Sequence, residues 1–142
     1  MTYALDTNIV SDLLKGHERI SARYAEAVGR NDAVAVPALV RIELLLGRFA
    51  SVKKAGDGAT ARAMYELLVR TETALAPLPL LPINAEVAER FDRLRVVKKL
   101  SKLAVADLII AAIALAHDAT LVTRNTKDFA NVPNLKIDNR AD

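Results

Sequence analysis

The 142-residue sequence predicts an α/β fold, in which a central, mostly parallel sheet is flanked by helices on both faces. Short apolar runs alternate with longer segments of helical periodicity, which is typical of parallel strands joined by helical crossovers. Neither an internal repeat nor an interdomain linker interrupts this alternation. Residues 1–142 are therefore expected to form a single domain.

The first half of the chain contains two predicted strands and three predicted helices. The strands are compact apolar runs, and the helices show apolar residues at near-helical spacing. Pro37 follows the second strand and suits the first turn of the third helix. In chain order, the predicted elements are strand 2–6, helix 9–15, helix 18–30, strand 33–36 and helix 38–50.

The second half begins with a loop at 51–58 that contains two glycines. The segment after this loop, 59–75, is rich in residues of high helix propensity. Residues 77–83 contain three prolines, so they can carry only a short strand. Asn84 is the predicted N-cap of a helix that extends as far as Val97. The remaining predicted elements are helix 59–75, helix 106–117, strand 120–123 and strand 135–137.

The composition excludes several kinds of site. There are no cysteines, which rules out disulfides, thiolate zinc sites and cysteine nucleophiles. With three Phe, three Tyr and no Trp, stacking of bases on aromatic side chains is not expected to dominate nucleic-acid binding. The net charge of +3 is compatible with a polyanionic partner, although many proteins without such a partner have a similar charge.

The sequence indicates a cytoplasmic protein that does not enter a membrane. Its first residues, MTYALDTN, lack the basic and apolar regions of a signal peptide. The longest apolar stretch, 103–116, is shorter than the ~20 residues of a membrane-spanning helix, and it contains Asp107.

Four acidic residues lie in apolar segments or near strand ends. They are candidate functional residues, because burying an unpaired carboxylate costs free energy and such a residue needs a partner. Asp6 ends the first strand, and ligands of open α/β sheets bind at the carboxyl ends of strands. Asp107 interrupts an apolar helix, and Asp128 follows the strand at 120–123. Each also has a plainer explanation: Asp6 can cap a helix, Asp107 can favour a helix N-terminus, and Asp128 can be an ordinary loop residue.

Glu43 is the fourth acid. At 100° per residue it shares a helix face with Leu39, Ile42 and Leu46, so we expect that face to lie nearest the core. The alternative is a glutamate at the boundary of the core, with its carboxylate reaching water or Arg41.

Taken together, the four acids predict a metal site. Grouped carboxylates raise one another's pKa, and a divalent cation removes that penalty. Because all the ligands are oxygen atoms, Mg²⁺ or Mn²⁺ is expected rather than Zn²⁺. Such an ion suits phosphoryl chemistry, since it orients a phosphodiester and supplies a water of lowered pKa.

Three segments carry a resemblance to a known family. They are LDTNIVSDLL (5–14), RIELLLG (41–47) and ADLIIAAIALAHDATLVTRNTKDF (106–129). In order and spacing they resemble the motifs of VapC-type PIN-domain toxins. The resemblance implies a PIN fold with an acidic pocket, and a metal site and catalytic centre formed by Asp6, Glu43, Asp107 and Asp128.

The same resemblance implies activity and partners. The implied reaction is endonucleolytic hydrolysis of RNA by metal-activated water, leaving a 5′ phosphate and a 3′ hydroxyl. Asn8, Thr123 and Asn125 match polar positions that support the metal ligands or orient the substrate. The family also implies an antitoxin whose tail places a basic side chain among the carboxylates, and a homodimer. One departure is KLAVAD before Asp107, where many relatives have a turn with Gly or Pro.

A basic stripe is formed by Arg95, Lys98, Lys99 and Lys102, whose spacing predicts one face of a helix. The stripe is a candidate for binding the RNA backbone, and the alternative is an ordinary solvated helix face. His17 and His117 are expected at the surface or at helix ends, and the predicted chemistry needs neither of them.

Two other classes of protein compete with this prediction. Phosphatases of the haloacid-dehalogenase type need a second aspartate where this chain has Asn8, and receiver domains need an acidic pair before their strand aspartate. The stronger alternative is a catalytically inactive PIN-like domain that serves as a binding module.

Overall fold

The computed structural model describes residues 1–139, so residues 140–142 of the predicted domain lie outside the described residues. Its elements alternate along the chain as the sequence predicts. They are β1 (Thr2–Leu5), α1 (Thr7–Leu14), α2 (Glu18–Gly29), β2 (Ala33–Pro37), α3 (Ala38–Lys53), α4 (Gly58–Leu75), β3 (Leu80–Leu81), α5 (Ala85–Leu94), a 3₁₀ turn (Lys98–Leu100), α6 (Val105–Ala116), β4 (Thr120–Val122), α7 (Thr126–Phe129) and β5 (Ile137–Asp138).

The five strands form one sheet in the order β3-β2-β1-β4-β5, and every pair of neighbours is parallel. The predicted α/β class is confirmed. β1 lies at the centre, and its last residue, Leu5, is in register with Val122 at the end of β4. The residues that follow these strands, Asp6 and Thr123, are therefore brought side by side at the carboxyl edge of the sheet.

The core is aliphatic and centres on β1, β4 and α6. α6 is apolar on nearly all sides, and Ile110–Ala114 is buried without a break. A helix that is apolar all round belongs in the interior of a domain. Because α6 is held by that packing, its first turn is fixed beside the carboxyl ends of the strands. Among residues 1–139, no helix combines the length and the apolar character needed to cross a membrane.

Several predicted boundaries shift. α3 continues through Lys53 and shortens the predicted loop, while β5 lies at Ile137–Asp138, two residues later than predicted at its start. Asn84 caps α5 as expected, since its Oδ1 accepts a hydrogen bond from the backbone N–H of Val87 at 3.0 Å. The predicted helix after Asn84 was too long, because α5 ends at Leu94 rather than near Val97.

The predicted orientation of α3 was wrong. Val40 and Leu44 face the core, whereas Ile42 and Leu46 are 45% and 60% exposed. α3 carries apolar residues on two faces, so helical periodicity alone does not select the buried one. Glu43 itself is exposed, which agrees with the alternative in which its carboxylate reaches solvent at the boundary of the core.

Candidate functional site

Asp6 is the most firmly held acid of the site. It is buried, and its backbone N–H donates to the carbonyl of Val122 at 3.0 Å, which extends the pairing of β1 with β4. Its Oδ1 accepts from the backbone N–H of Thr7 at 2.8 Å, at the start of α1. Its Oδ2 accepts from the hydroxyl of Thr123 at 2.7 Å. Asp6 therefore caps α1, which confirms the simpler of its two predicted roles, and its carboxylate is held by hydrogen bonds to both oxygens.

Thr123 connects this carboxylate to the loop after β4. Its side chain is fully buried, and its Oγ1 also accepts from the backbone N–H of Asn125 at 2.9 Å. One hydroxyl thus orients both Asp6 and the loop that carries Asn125.

Glu43 approaches from α3. Its Oε1 accepts a hydrogen bond from the hydroxyl of Thr7 at 3.2 Å. Thr7 follows Asp6 directly, so the first turn of α1 joins the carboxylates of two distant segments.

Asp107 lies in the first turn of α6 and is partly buried. Burial raises the pKa of its carboxyl group, and the negative charges of Asp6, Asp128 and Glu43 raise this pKa further. A helix N-terminus alone would favour the charged carboxylate, so burial and like charges dominate here. The four predicted acids therefore share one electrostatic neighbourhood.

An acidic pocket opens at this edge of the sheet. Five of the seven residues predicted to bind the metal, support its ligands or orient the substrate line this pocket. The two that do not are Thr123, which is buried, and Asp128, which is exposed on α7. The sequence analysis missed three lining residues, Thr7, Ile110 and Arg124, although all three lie inside the segments that carry the family resemblance. The lining residues are Asp6, Thr7, Asn8, Glu43, Asp107, Ile110, Arg124 and Asn125.

The sequence of the chain matches the model of the PIN-domain family over residues 3–135. The chain belongs to the PIN-domain family. Two curated relatives extend over nearly the same length. Ribonuclease VapC2 of Rickettsia felis is 30% identical, with 98% of each chain covered. Ribonuclease VapC19 of Mycobacterium tuberculosis is 28% identical, with 93% of this chain and 95% of the relative covered.

Solved structures agree with the sequence relatives of this PIN domain. The VapBC2 structure from Rickettsia felis, bound to a DNA fragment from its promoter, matches with a TM-score of 0.71 and 28% identity over 98% of each chain. VapBC-1 from nontypeable Haemophilus influenzae matches with a TM-score of 0.71 and 27% identity over the whole of both chains. The predicted resemblance to VapC-type PIN domains is confirmed.

The donor set of this PIN domain fits a hard divalent cation. Asp6, Glu43 and Asp107 offer carboxylate oxygens, which suit Mg²⁺ or Mn²⁺, and their mutual repulsion would be offset by a cation. Across residues 1–139, however, no three Asp, Glu, His or Cys side chains lie close enough to share one ion. A cation here would take one or two carboxylates directly and keep water at its other positions, as Mg²⁺ commonly does.

The basic stripe is not the face of one helix, so that prediction was wrong. α5 ends at Leu94, and a 3₁₀ turn begins at Lys98. Buried Leu94 and Leu100 anchor the chain on either side of the break, which overrides the helical spacing of the charges. Arg95, Lys98, Lys99 and Lys102 are all exposed to solvent.

Proposed function

We propose that this PIN domain is a metal-dependent endoribonuclease and the toxin of a toxin–antitoxin pair. The observation that carries the proposal is the acidic pocket at the carboxyl edge of the sheet, which is lined by Asp6 after β1, Glu43 on α3 and Asp107 on α6. The raised pKa of Asp107 supports it, because burial and then the charges of three neighbouring acids disfavour the charged carboxylate, and a bound cation would offset both effects. The names of the relatives point to the same activity.

Four acids would hold the Mg²⁺ or Mn²⁺ ion, some of them through water: Asp6, Glu43, Asp107 and Asp128. When bound, the ion would supply a water of lowered pKa and neutralise charge on the phosphodiester. Thr123 keeps the Asp6 carboxylate in a single orientation, and Thr7 does the same for Glu43. Exposed Asn8 and Asn125 line the pocket, where their amides can orient the RNA.

An antitoxin is the proposed protein partner. The solved relatives from Rickettsia felis and Haemophilus influenzae are VapBC assemblies, and one of them is bound to promoter DNA. A partner of this chain would insert a basic side chain among the carboxylates of the acidic pocket, where it would compensate the same repulsion as a cation.

The alternative is an inactive PIN-like domain that acts only as a binding module. The observation that favours it is the spacing of the acids, since no three of them in the described chain lie close enough to share an ion. The two proposals differ in whether a divalent cation binds the acidic pocket.

Cleavage of structured RNA tests the proposed activity. Wild type, Asp6→Asn and the control Asp118→Asn are incubated with labelled RNA in Mn²⁺ or Mg²⁺, and in EDTA. Asp118 is exposed and has a positive φ of 50°, which Asn also adopts, so its change is a matched loss of one charge. We expect wild type and Asp118→Asn to cleave, and Asp6→Asn or EDTA to abolish cleavage. Equal cleavage by Asp6→Asn would contradict the proposed site.

Metal-dependent melting decides between the nuclease and the binding module. A ligand at 100 times its Kd stabilises a folded protein by about 2.7 kcal/mol. We expect Mn²⁺ to raise the melting temperature of wild type and Asp118→Asn, and to have little effect on Asp6→Asn. No shift in wild type at millimolar Mn²⁺ would favour the inactive module.

A further inference from the structure

Arg124 is a basic side chain inside the acidic pocket. It lies in the motif segment 106–129, but the resemblance gives it no role, and the proposed metal site does not explain it. We propose that Arg124 binds a phosphate of the RNA at this pocket, and that Asp12 of α1 holds its guanidinium in position for this contact. The inference rests on the proposed nuclease function and adds to it a phosphate-binding residue.

The placement of Arg124 is set by β4. It follows Thr123, whose buried hydroxyl bonds to Asp6, and it precedes Asn125, whose backbone bonds back to Thr123. Arg124 thus starts from an anchored stretch of backbone. Its side chain lines the acidic pocket together with Asp6, Asn125 and Glu43.

Asp12 fixes the other end of the side chain. Its Oδ2 accepts a hydrogen bond from Nη1 of Arg124, and the two residues form an ion pair. Their side chains are 22% and 38% exposed, so the pair is more protected than most surface pairs of this chain. Asp12 lies on α1, the helix that Asp6 caps, and the pair therefore links α1 to the loop after β4, two of the segments that line the pocket.

Other arginine pairs of the described chain have a different character. Arg62 with Glu66, and Arg90 with Glu86, join residues four apart on a single helix, and such exposed pairs contribute little to stability. The Arg124 pair spans 112 residues of sequence and closes on a pocket. The Arg124–Asp12 pair therefore holds a side chain of the pocket in place, whereas the other two pairs lie along the surface of one helix.

The charge of the pocket explains why an arginine is useful there. Asp6, Glu43 and Asp107 repel a polyanion, and a single divalent cation does not balance all the nearby negative charge. Within the described residues, Arg124 is the only basic side chain in the pocket lining. A guanidinium has five N–H donors in a planar fork that matches two phosphate oxygens, so donors remain after Asp12 has accepted one.

Asp12 also explains why Arg124 leaves the metal site open. An unrestrained guanidinium beside three carboxylates would pair with them and compete with a cation. Among the described residues, Arg124 forms its ion pair with Asp12 and none with Asp6 or Glu43, while it still lines the same pocket. Asp12 is thus a positioning residue, and Arg124 is the residue that contacts the substrate.

Cleavage kinetics test this assignment with Arg124→Gln, Arg124→Lys and Asp12→Asn. Arg62→Gln, which removes an exposed arginine from an ion pair on α4, is the matched control. We expect Arg124→Gln to lower kcat/KM by ~100-fold or more, as loss of one donor to a developing negative charge does. Lysine should restore part of the loss, because it keeps the charge and lacks the fork.

Asp12→Asn should lower kcat/KM less than Arg124→Gln, and the double variant should be no worse than Arg124→Gln alone, since Asp12 acts through the arginine. An additive loss would overturn the positioning role of Asp12. Unchanged kinetics in Arg124→Gln, with an active wild type, would overturn the phosphate contact while leaving the nuclease proposal intact.

RNA binding without cleavage separates the two proposals. In an Asp6→Asn background with EDTA, the affinity for a single-stranded RNA is measured against salt concentration. Loss of one phosphate contact should reduce the slope of log K against log salt by ~0.7, and lysine should restore the slope. A flatter slope in Arg124→Gln, with no cleavage by wild type, would refute the nuclease and retain the phosphate site.

A merely structural ion pair predicts a different pattern. Loss of the link between α1 and the loop after β4 would lower the melting temperature equally in Arg124→Gln and Asp12→Asn, and would leave the salt slope unchanged. That pattern, measured on folded protein below its melting temperature, would overturn the inference.

Discussion

At the residue scale, a single buried hydroxyl holds the site together. Oγ1 of Thr123 donates its proton to Asp6 and accepts one hydrogen bond from the backbone N–H of Asn125, so this one hydroxyl serves two partners. Thr123 and Asp6 are both buried, so water does not readily replace the hydroxyl as a partner of the Asp6 carboxylate. The two hydrogen bonds of this hydroxyl explain why a threonine stands at position 123.

Thr123→Val tests this arrangement. The isosteric side chain removes the hydroxyl and leaves a buried carboxylate oxygen and an N–H unpaired, so we expect the free energy of unfolding to fall by about 1–3 kcal/mol. Thr123→Ser keeps the hydroxyl and should lose less. Urea unfolding measures both. A valine variant as stable as wild type would show that neither hydrogen bond contributes.

The charge of Asp107 gives a second prediction at this scale. Its pKa in the folded protein is raised above the ordinary 3.8 by burial and by three neighbouring acids, so the folded state binds its proton more tightly than the unfolded state does. The stability of metal-free protein should therefore fall as pH rises from 3.8 through the raised pKa, and then stay level with respect to this group.

Asp107→Asn removes this penalty. In EDTA at pH 7 we expect the variant to melt at a higher temperature than wild type, and the difference should vanish below pH ~3.8, where both side chains are neutral. Asp118→Asn serves again as the control, because the carboxyl of Asp118 is exposed and, within residues 1–139, forms an ion pair with Lys136 alone. A variant that melts lower than wild type at pH 7 would show that another interaction of Asp107 outweighs the repulsion.

At the scale of elements, charge spacing and apolar packing compete, and packing decides. The four residues of the basic stripe have helical spacing. Nevertheless α5 ends at Leu94, because Leu94 and Leu100 enter the core on either side of a bend. Conversely, Asn84 caps α5 as its sequence predicts, since an N-cap depends only on residues within one turn.

RNA binding by the basic stripe stays a prediction, and the bend changes how it is tested. Lys98 and Lys99 are adjacent in a 3₁₀ turn, so both can face solvent at one place. We expect Lys98→Ala with Lys99→Ala to weaken RNA binding and to flatten its salt dependence by ~0.7 for each phosphate lost. The control pair is Lys53→Ala with Lys54→Ala, also adjacent and exposed, at the far end of α3 from Glu43. Equal effects of the two pairs would assign the change to net charge alone.

At the scale of the whole molecule, the described surface carries an apolar stripe along α3. Ile42, Leu46 and Phe49 lie at i, i+4 and i+7, and they are 45%, 60% and 48% exposed. Neighbouring α4 adds Tyr65 and Val69, which are 58% and 41% exposed. Clusters of exposed apolar side chains are a feature of interaction sites. It is the feature that best supports the homodimer implied by the family resemblance.

Sedimentation tests the homodimer. We expect wild type to sediment as a dimer at micromolar concentration, and Leu46→Glu to shift it toward monomer because a charge in an apolar interface is costly. Val96→Glu is the control, since Val96 is 73% exposed in the turn after α5 and outside the stripe. A dimeric Leu46→Glu would exclude the stripe as the interface, and a monomeric wild type would refute the homodimer.

The sequence by itself determined the features that depend on residues near one another. Alternation of apolar runs and helical periods predicts the parallel α/β fold, and the motif residues Asp6, Glu43 and Asp107 predict the acids that line the pocket. These features can be predicted from sequence because the periods of strands and helices, and the capping of helix ends, depend on residues that are close together in the chain.

Only the tertiary structure decided which distant side chains meet. The register of Leu5 with Val122 places Asp6 against Thr123, and the crossing of α1 with the loop after β4 joins Asp12 to Arg124. The sequence of α3 also does not predict which face of the helix is buried. Apolar residues lie on two of its faces, and packing against neighbouring elements determines which one enters the core. These contacts depend on how the elements pack, and no local period in the sequence carries that information.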